Sequence, residues 1–497
     1  GQLLTPDFSA SSGRIDLPFS ADRFDVSGQS QINADATIGE VNVQPGARLV
    51  MGTASRLIGT NRLSVESTGT LRLNSDQSVG SFILAGVLDG TGTLSASTYS
   101  LQGGQALAPL GTGLLSSSGA SLLDAPARVT RVQVTGGSFT TGTNGTLDNL
   151  PAVVVDANAS WLLQGSQRIG SLAGAGNVLL DTFSLTTGVL GGTRFDGVLS
   201  GTGNLVKEGT STFELGGGNT YVGGTDVIDG TLALLGSNRL ADTGAVRVAA
   251  PATLVVDGTD TVASLDLAGL LRGSGTLTAA TYTLQGGTAR AALGRGDLVS
   301  TGSSLLAEPV AVDNIRVDGG TLQVAAGATT RTPATTVAAN ATLLLEGELT
   351  LGTLAGAGNV QLRQGTLTTG VGGDSRFSGV ISGPGGLVKE GDGRFTLAGA
   401  NTYTGSTTVA QGTLALDGAN RLADDTAVTV RAPATLVLAG SDTVASLLLQ
   451  GTLSGTGTLS AATYALDGGS ALANLGAGQL TSSGTSLLAG TSAASSV

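Results

Sequence analysis

The residues that could do chemistry are few and scattered along the 497-residue chain. Arg295, Gly296 and Asp297 set a cation and a carboxylate on either side of a glycine, the tripeptide that integrin-type receptors read. The chain repeats itself at about 182 residues, and the counterparts Thr112-Gly113-Leu114 and Ala477-Gly478-Gln479 keep only the glycine. Composition alone supplies such a tripeptide in about one chain in six of this kind. A corner glycine with chance neighbours therefore stands beside the cell-attachment reading. Lys207-Glu208 and Lys389-Glu390 occupy equivalent places. Strand alternation sends the members of each pair to opposite faces, so one of them can cap a corner. Asp424-Asp425 and Asp89 are turn carboxylates, and such groups usually cap backbone amides rather than hold calcium. Asn144, Asn158 and Asn340 open N-x-Ser/Thr sequons, of which the last two are repeat equivalents.

Several chemistries are excluded outright. The chain has no cysteine and no histidine. It therefore has no disulfides, no thiolate nucleophile, no Ser-His-Asp triad, and no zinc site built on either ligand. Net charge is −12, with no basic patch interleaved with aromatics, so nucleic acid is not an expected partner. No run of 18 apolar residues exists to span a membrane as a helix. The chain starts at Gly1 without a charged n-region and apolar h-region, and its last repeat is cut short, as expected of a piece of a longer protein. A polysaccharide-processing enzyme would need carboxylates gathered on one face, and no such grouping stands out. No catalytic residue, cofactor or metal is expected.

The elements that carry these residues are short strands. Thr253-Leu-Val-Val256, Leu265-Asp-Leu267 and Thr281-Tyr-Thr-Leu284 alternate or run apolar, and Gly, Asn, Asp or Ser closes nearly every such stretch. Long helical periodicity is missing. Glycine accounts for 80 residues and aromatics for only 3%, too few for a set of β-sandwich cores.

The repeat is long. VGSFILAGVLDGTGTLSASTYSLQGG (79–104), VASLDLAGLLRGSGTLTAATYTLQGG (262–287) and VASLLLQGTLSGTGTLSAATYALDGG (444–469) superpose, with Tyr99, Tyr282 and Tyr464 at intervals of 183 and 182 residues. FDGVLSGTGNLVKEG at Phe195 recurs as FSGVISGPGGLVKEG at Phe377. The chain divides into 1–46, diverged coils or a junction; 47–229, a first unit; 230–411, a second; and 412–497, a truncated third. One unit is too long for a single structural rung. Strand and glycine turn alternate about every ten residues, and three short strands per coil would give roughly 20 residues per coil. The expected fold is all-β: a right-handed parallel β-helix, or β-solenoid, with roughly 20 residues per coil, in one continuous rod.

GVLSGTGNLVKEGTSTFELGGGNTYVGGTDVIDGTLAL (197–234) and GVISGPGGLVKEGDGRFTLAGANTYTGSTTVAQGTLAL (379–416) resemble the passenger-associated repeat of autotransporters. The TYTLQGG, LGRGDL and DGGTLQVAAG segments resemble filamentous-haemagglutinin-like exoproteins. The resemblance implies a secreted or surface-displayed protein of a Gram-negative bacterium, exported by an autotransporter or two-partner route with an outer-membrane partner outside this chain. The implied function is an adhesive shaft that contacts a host or bacterial receptor or a polysaccharide, with cell–cell or biofilm contact included. A self-assembling fibre, joined end to end or laterally, is the alternative. A polysaccharide-processing β-helix enzyme is a more distant one.

Overall fold

The computed structural model describes residues 3–328 and 331–496, and every regular element among them is a β-strand. Strand pairs within each unit are parallel, each strand bonding to its counterpart one coil later, as in Leu205–Lys207 onto Thr225–Val227. This is the β-solenoid expected from alternation and glycine punctuation. The coil length is about 18 residues, a little under the expected 20. It is not constant: Thr98 pairs with Leu114 and Thr231 with Thr253, steps of 16 and 22 residues. Corner loops absorb most of the difference, and the register itself shifts within two long strand pairs, between Ala10 and Ser12 and between Arg272 and Thr276.

The chain forms two compact units, Gly1–Asp260 and Thr261–Val497. In the first, three ladders run side by side, one on each flank of the coil. One holds Ala152–Val155 on Ser171–Gly174, a second Ala159–Leu163 on Asn177–Leu179, and the third Gln167–Arg168 on Leu185–Thr187. Residues 3–43 coil in the same way, with Leu3–Ile15 paired to Phe19–Ile32 and that strand to Ala36–Val43. In the second unit the ladder that matters below stacks Leu349–Leu351, Thr366–Thr369, Gly386–Lys389, Thr407–Val409 and Ala427–Val430.

Parallel register stacks like on like inside the coil. Phe82, Tyr99, Leu115, Val132, Val153 and Leu172 follow one another rung by rung, and all are buried. Phe139, Trp161, Val178 and Leu199 form a second column, with Trp161 fully buried. Each such side chain contributes roughly 1.5–3 kcal/mol by leaving water. The outward positions between them mix Thr, Ser, Gln and charged residues with apolar ones such as Ile83, Val154, Leu162 and Leu179, and the β-branched and hydroxyl side chains among them suit a pleated face.

Candidate functional site

The signature residues of the long repeat point inward, and their polar atoms are spent on backbone. Lys207 lies in the inward column Thr187–Lys207–Val227 and is fully buried. Its ammonium donates to the carbonyls of Glu208 (2.9 Å), Gly209 (2.7 Å) and Asp229 (3.0 Å). Lys389 repeats this with Glu390 (2.8 Å), Gly391 (2.7 Å) and Gln411 (3.2 Å). A corner turns three carbonyls toward one point, and an ammonium with three donors satisfies them all. Burial lowers both lysine pKa values, against the pull of Asp229 and Glu208 in one copy and of Asp392, Asp374 and Glu390 in the other. Gly188 makes room: a Cβ there would lie 2.6 Å from the Lys207 Cδ. The lysine is thus the member of the pair that caps the corner.

The NTY segment does similar work. Asn219 accepts from the Leu199 amide (2.9 Å) and donates to the Gly217 and Arg239 carbonyls (3.2 and 2.7 Å). Asn401 makes the same three bonds to Ile381, Gly399 and Arg421. The Tyr221 and Tyr403 hydroxyls bond Thr225 and Thr407, each at 2.6 Å. Burial raises both phenol pKa values.

Asp260 and Asp442 were not legible as site residues. Each carboxylate accepts two successive backbone amides: Arg239 (2.7 Å) and Leu240 (3.1 Å) for Asp260, Arg421 (2.6 Å) and Leu422 (3.3 Å) for Asp442. Burial is the larger influence and raises both pKa values, while the amide bonds oppose it. A carboxyl whose folded pKa exceeds its unfolded pKa contributes stability that is fully present below the unfolded value and lost as pH rises through the folded one. Asp260→Asn should therefore cost more stability near pH 4 than near pH 7, where we expect about 1–2 kcal/mol from the mispaired amide. Urea unfolding of both proteins at the two pH values checks this; a larger cost at neutral pH would contradict it.

The Arg295-Gly296-Asp297 tripeptide sits at a corner held by tyrosine. The Tyr282 hydroxyl accepts from the Ala279 amide (2.8 Å) and lies 3.1 Å from the Leu277 carbonyl and 3.4 Å from that of Arg295. Burial pushes its pKa up to about 12. Gly296 has φ +146°, and a Cβ there would lie 2.0 Å from the Ala279 carbonyl oxygen. Tyr99 with Gly113 and Tyr464 with Gly478 build the same corner, with glycine φ values of +150° and +153°. The glycine therefore belongs to the repeat and the flanking charges do not. Arg295 pairs with Asp313 (3.2 Å), and Asp297 accepts from the Asn314 amide (2.6 Å). Both charged side chains are exposed.

The remaining candidates lie apart. Glu208, on the outer face, pairs with Arg168 at 2.6 Å. Asp89 pairs with Arg72 at 3.1 Å, and Asp424 and Asp425 are exposed in a turn. Asn144, Asn158 and Asn340 are exposed at turns. Among the described residues no three His, Cys, Asp or Glu side chains gather as a metal would require.

The profile of the passenger-associated transport repeat matches residues 205–234 and 387–416, the segments that run from the capped lysine strands through the NTY corner. The chain thus carries two of these repeats. It is similar to the adhesin BmaC autotransporter of Brucella suis biovar 1 (strain 1330), 34% identical over 170 residues, which is 33% of this chain and 4% of that protein. It is also similar to the neisserial autotransporter lipoprotein NalP of Neisseria meningitidis serogroup B (strain MC58), 33% identical over 129 residues, 25% of this chain and 11% of that protein. The chain therefore spans a small fraction of these relatives. No solved structure matches it.

Proposed function

We propose that this chain is a non-catalytic, adhesive stretch of a passenger that a Gram-negative bacterium secretes or displays on its surface, exported with an outer-membrane translocator outside the chain. The likeness to an autotransporter adhesin supports the reading. The observation that carries it is the inward use of the repeat's signature. Lys207, Asn219, Tyr221 and their counterparts spend their polar atoms inside the coil. What the protein offers a partner is therefore the outer faces, where Thr, Ser and charged side chains alternate with exposed apolar ones such as Leu114, Leu179 and Val222. Such a surface fits extended contact with a cell or matrix better than turnover of a substrate. The segments 47–229, 230–411 and 412–497 are, on this reading, copies of one ancestral block that lengthens the adhesive surface.

The test is display of the chain on a non-adherent Gram-negative strain, with attachment to epithelial cells and to sister bacteria counted. Attachment above the undecorated strain is expected, and none on any surface would contradict the proposal. We propose further that the Gly296 corner is structural and its charged neighbours incidental. Asp297→Ala is then expected to leave attachment to integrin-bearing cells unchanged; its loss would assign that contact to the tripeptide.

A further inference from the structure

The second unit carries a groove on the outer face of the ladder that begins at Leu349–Leu351. Thr350, Thr368, Val388 and Thr408 follow one another in register on four successive rungs, all pointing outward. Glu348 lies on one side of this column, and Glu390 and Arg431 on the other. Together they line a depression of about 310 Å³. None of these hydroxyls, carboxylates or the guanidinium has a hydrogen-bond or ion-pair partner among the described residues.

The equivalent place in the first unit is closed. Arg168 stands where the second unit has Thr350, and its guanidinium pairs with Glu208, the counterpart of Glu390, at 2.6 Å. Asp226 stands where the second unit has Thr408. Replacement of the arginine by threonine removes the glutamate's partner and leaves a strip of free donors and acceptors. The repeat's own architecture does not require this change, because the lysine cap and the asparagine corner are the same in both copies.

We infer that this groove binds a neutral oligosaccharide laid along the stack, which names a site and a ligand class for the adhesive function proposed above and rests on it. The hydroxyls of Thr350 and Thr368 lie one rung apart, about 4.8 Å, and that of Thr408 two rungs further on, past Val388. Each donates one hydrogen bond and accepts two, the mixed capacity that matches sugar hydroxyls. Glu348 and Glu390 accept charge-assisted bonds from diols, and Arg431 donates to ring or hydroxyl oxygens. Val388 gives the sugar's C–H face an apolar contact. A protein partner would look for aromatic or large apolar anchors, and the groove has none. Two carboxylates against one guanidinium repel phosphate, sulfate and uronate chains.

The experiment is calorimetric titration of the purified full chain with cellotetraose and chitotetraose, and with trigalacturonate as the charged comparison. Saturable binding of a neutral oligosaccharide at millimolar concentration is expected, with trigalacturonate much weaker. Thr350→Arg restores the arginine of the first unit and should weaken binding about tenfold or more by occupying Glu390. Glu390→Gln leaves the rung chemistry untouched and should weaken binding by about tenfold through loss of the charge-assisted bond. Thermal melting that matches the parent shows each variant is folded. Absence of neutral-sugar binding, tighter binding of trigalacturonate, or affinity unchanged in both variants would each overturn the inference. Attachment by the displayed chain in the absence of any sugar binding would overturn this site and leave the adhesive reading standing.

Discussion

Lys389→Met is expected to destabilise the coils around its corner by about 2–4 kcal/mol. The methionine keeps the aliphatic length that packs beside Gly370 but has no donor for the carbonyls of Glu390, Gly391 and Gln411. Hydrogen bonds from a charged donor contribute about 1.5–3 kcal/mol, and acceptors left dry add a penalty of similar size. Arginine cannot take over, because its planar fork does not converge on three carbonyls around one nitrogen. In a solenoid each coil packs on its neighbours, so the loss should be local. Hydrogen exchange should show lost protection in the strands Thr366–Thr369, Gly386–Lys389 and Thr407–Val409 and unchanged protection in remote coils. Unchanged exchange throughout would mean that the lysine is not a cap. Lys207→Met should behave alike in the first unit.

Gly296→Ala is expected to be as damaging, for a steric reason. The residue lies at φ +146°, where a side chain costs about 1–3 kcal/mol. Its new Cβ would press on the Ala279 carbonyl and the Tyr282 ring, and overpacking of that kind adds about 1–3 kcal/mol. Asp297→Ala removes only an exposed acceptor of the Asn314 amide and should change stability by less than about 0.5 kcal/mol. Denaturant unfolding of the two variants separates the roles packed into this tripeptide. A harmless Gly296→Ala would show that the corner is free to move.

Much of this was legible in the sequence, and the reason is register. In a parallel stack a residue type recurs over itself, so Tyr99, Tyr282 and Tyr464 mark the same corner simply by their spacing. Alternation placed Lys207 and Glu208 on opposite faces, and they are on opposite faces. Glycine and short apolar stretches announced strands and corners. Asp260 and Asp442 were hidden because an aspartate near a turn reads as solvated, and nothing local says that two amides of the previous coil converge on it. The groove was hidden for a related reason. Thr350, Thr368 and Thr408 belong to one outward column only because their coils are 18 and 20 residues long in that stretch, whereas elsewhere coils take 16 or 22. A fixed coil length cannot place such residues on one face. The absence of Arg168's partner role in the second copy was visible as a substitution, but its consequence needed the ion pair to be seen.

The central claim is that the repeat builds the scaffold and the outward groove along Thr350, Thr368, Val388 and Thr408 does the binding. Attachment counts for a non-adherent strain that displays the full chain, its Thr350→Arg variant and its Asp297→Ala variant test this most directly, with equal surface levels confirmed. The predicted result is attachment by the parent, a clear drop with Thr350→Arg, and no change with Asp297→Ala. Attachment abolished by Asp297→Ala and untouched by Thr350→Arg would contradict it.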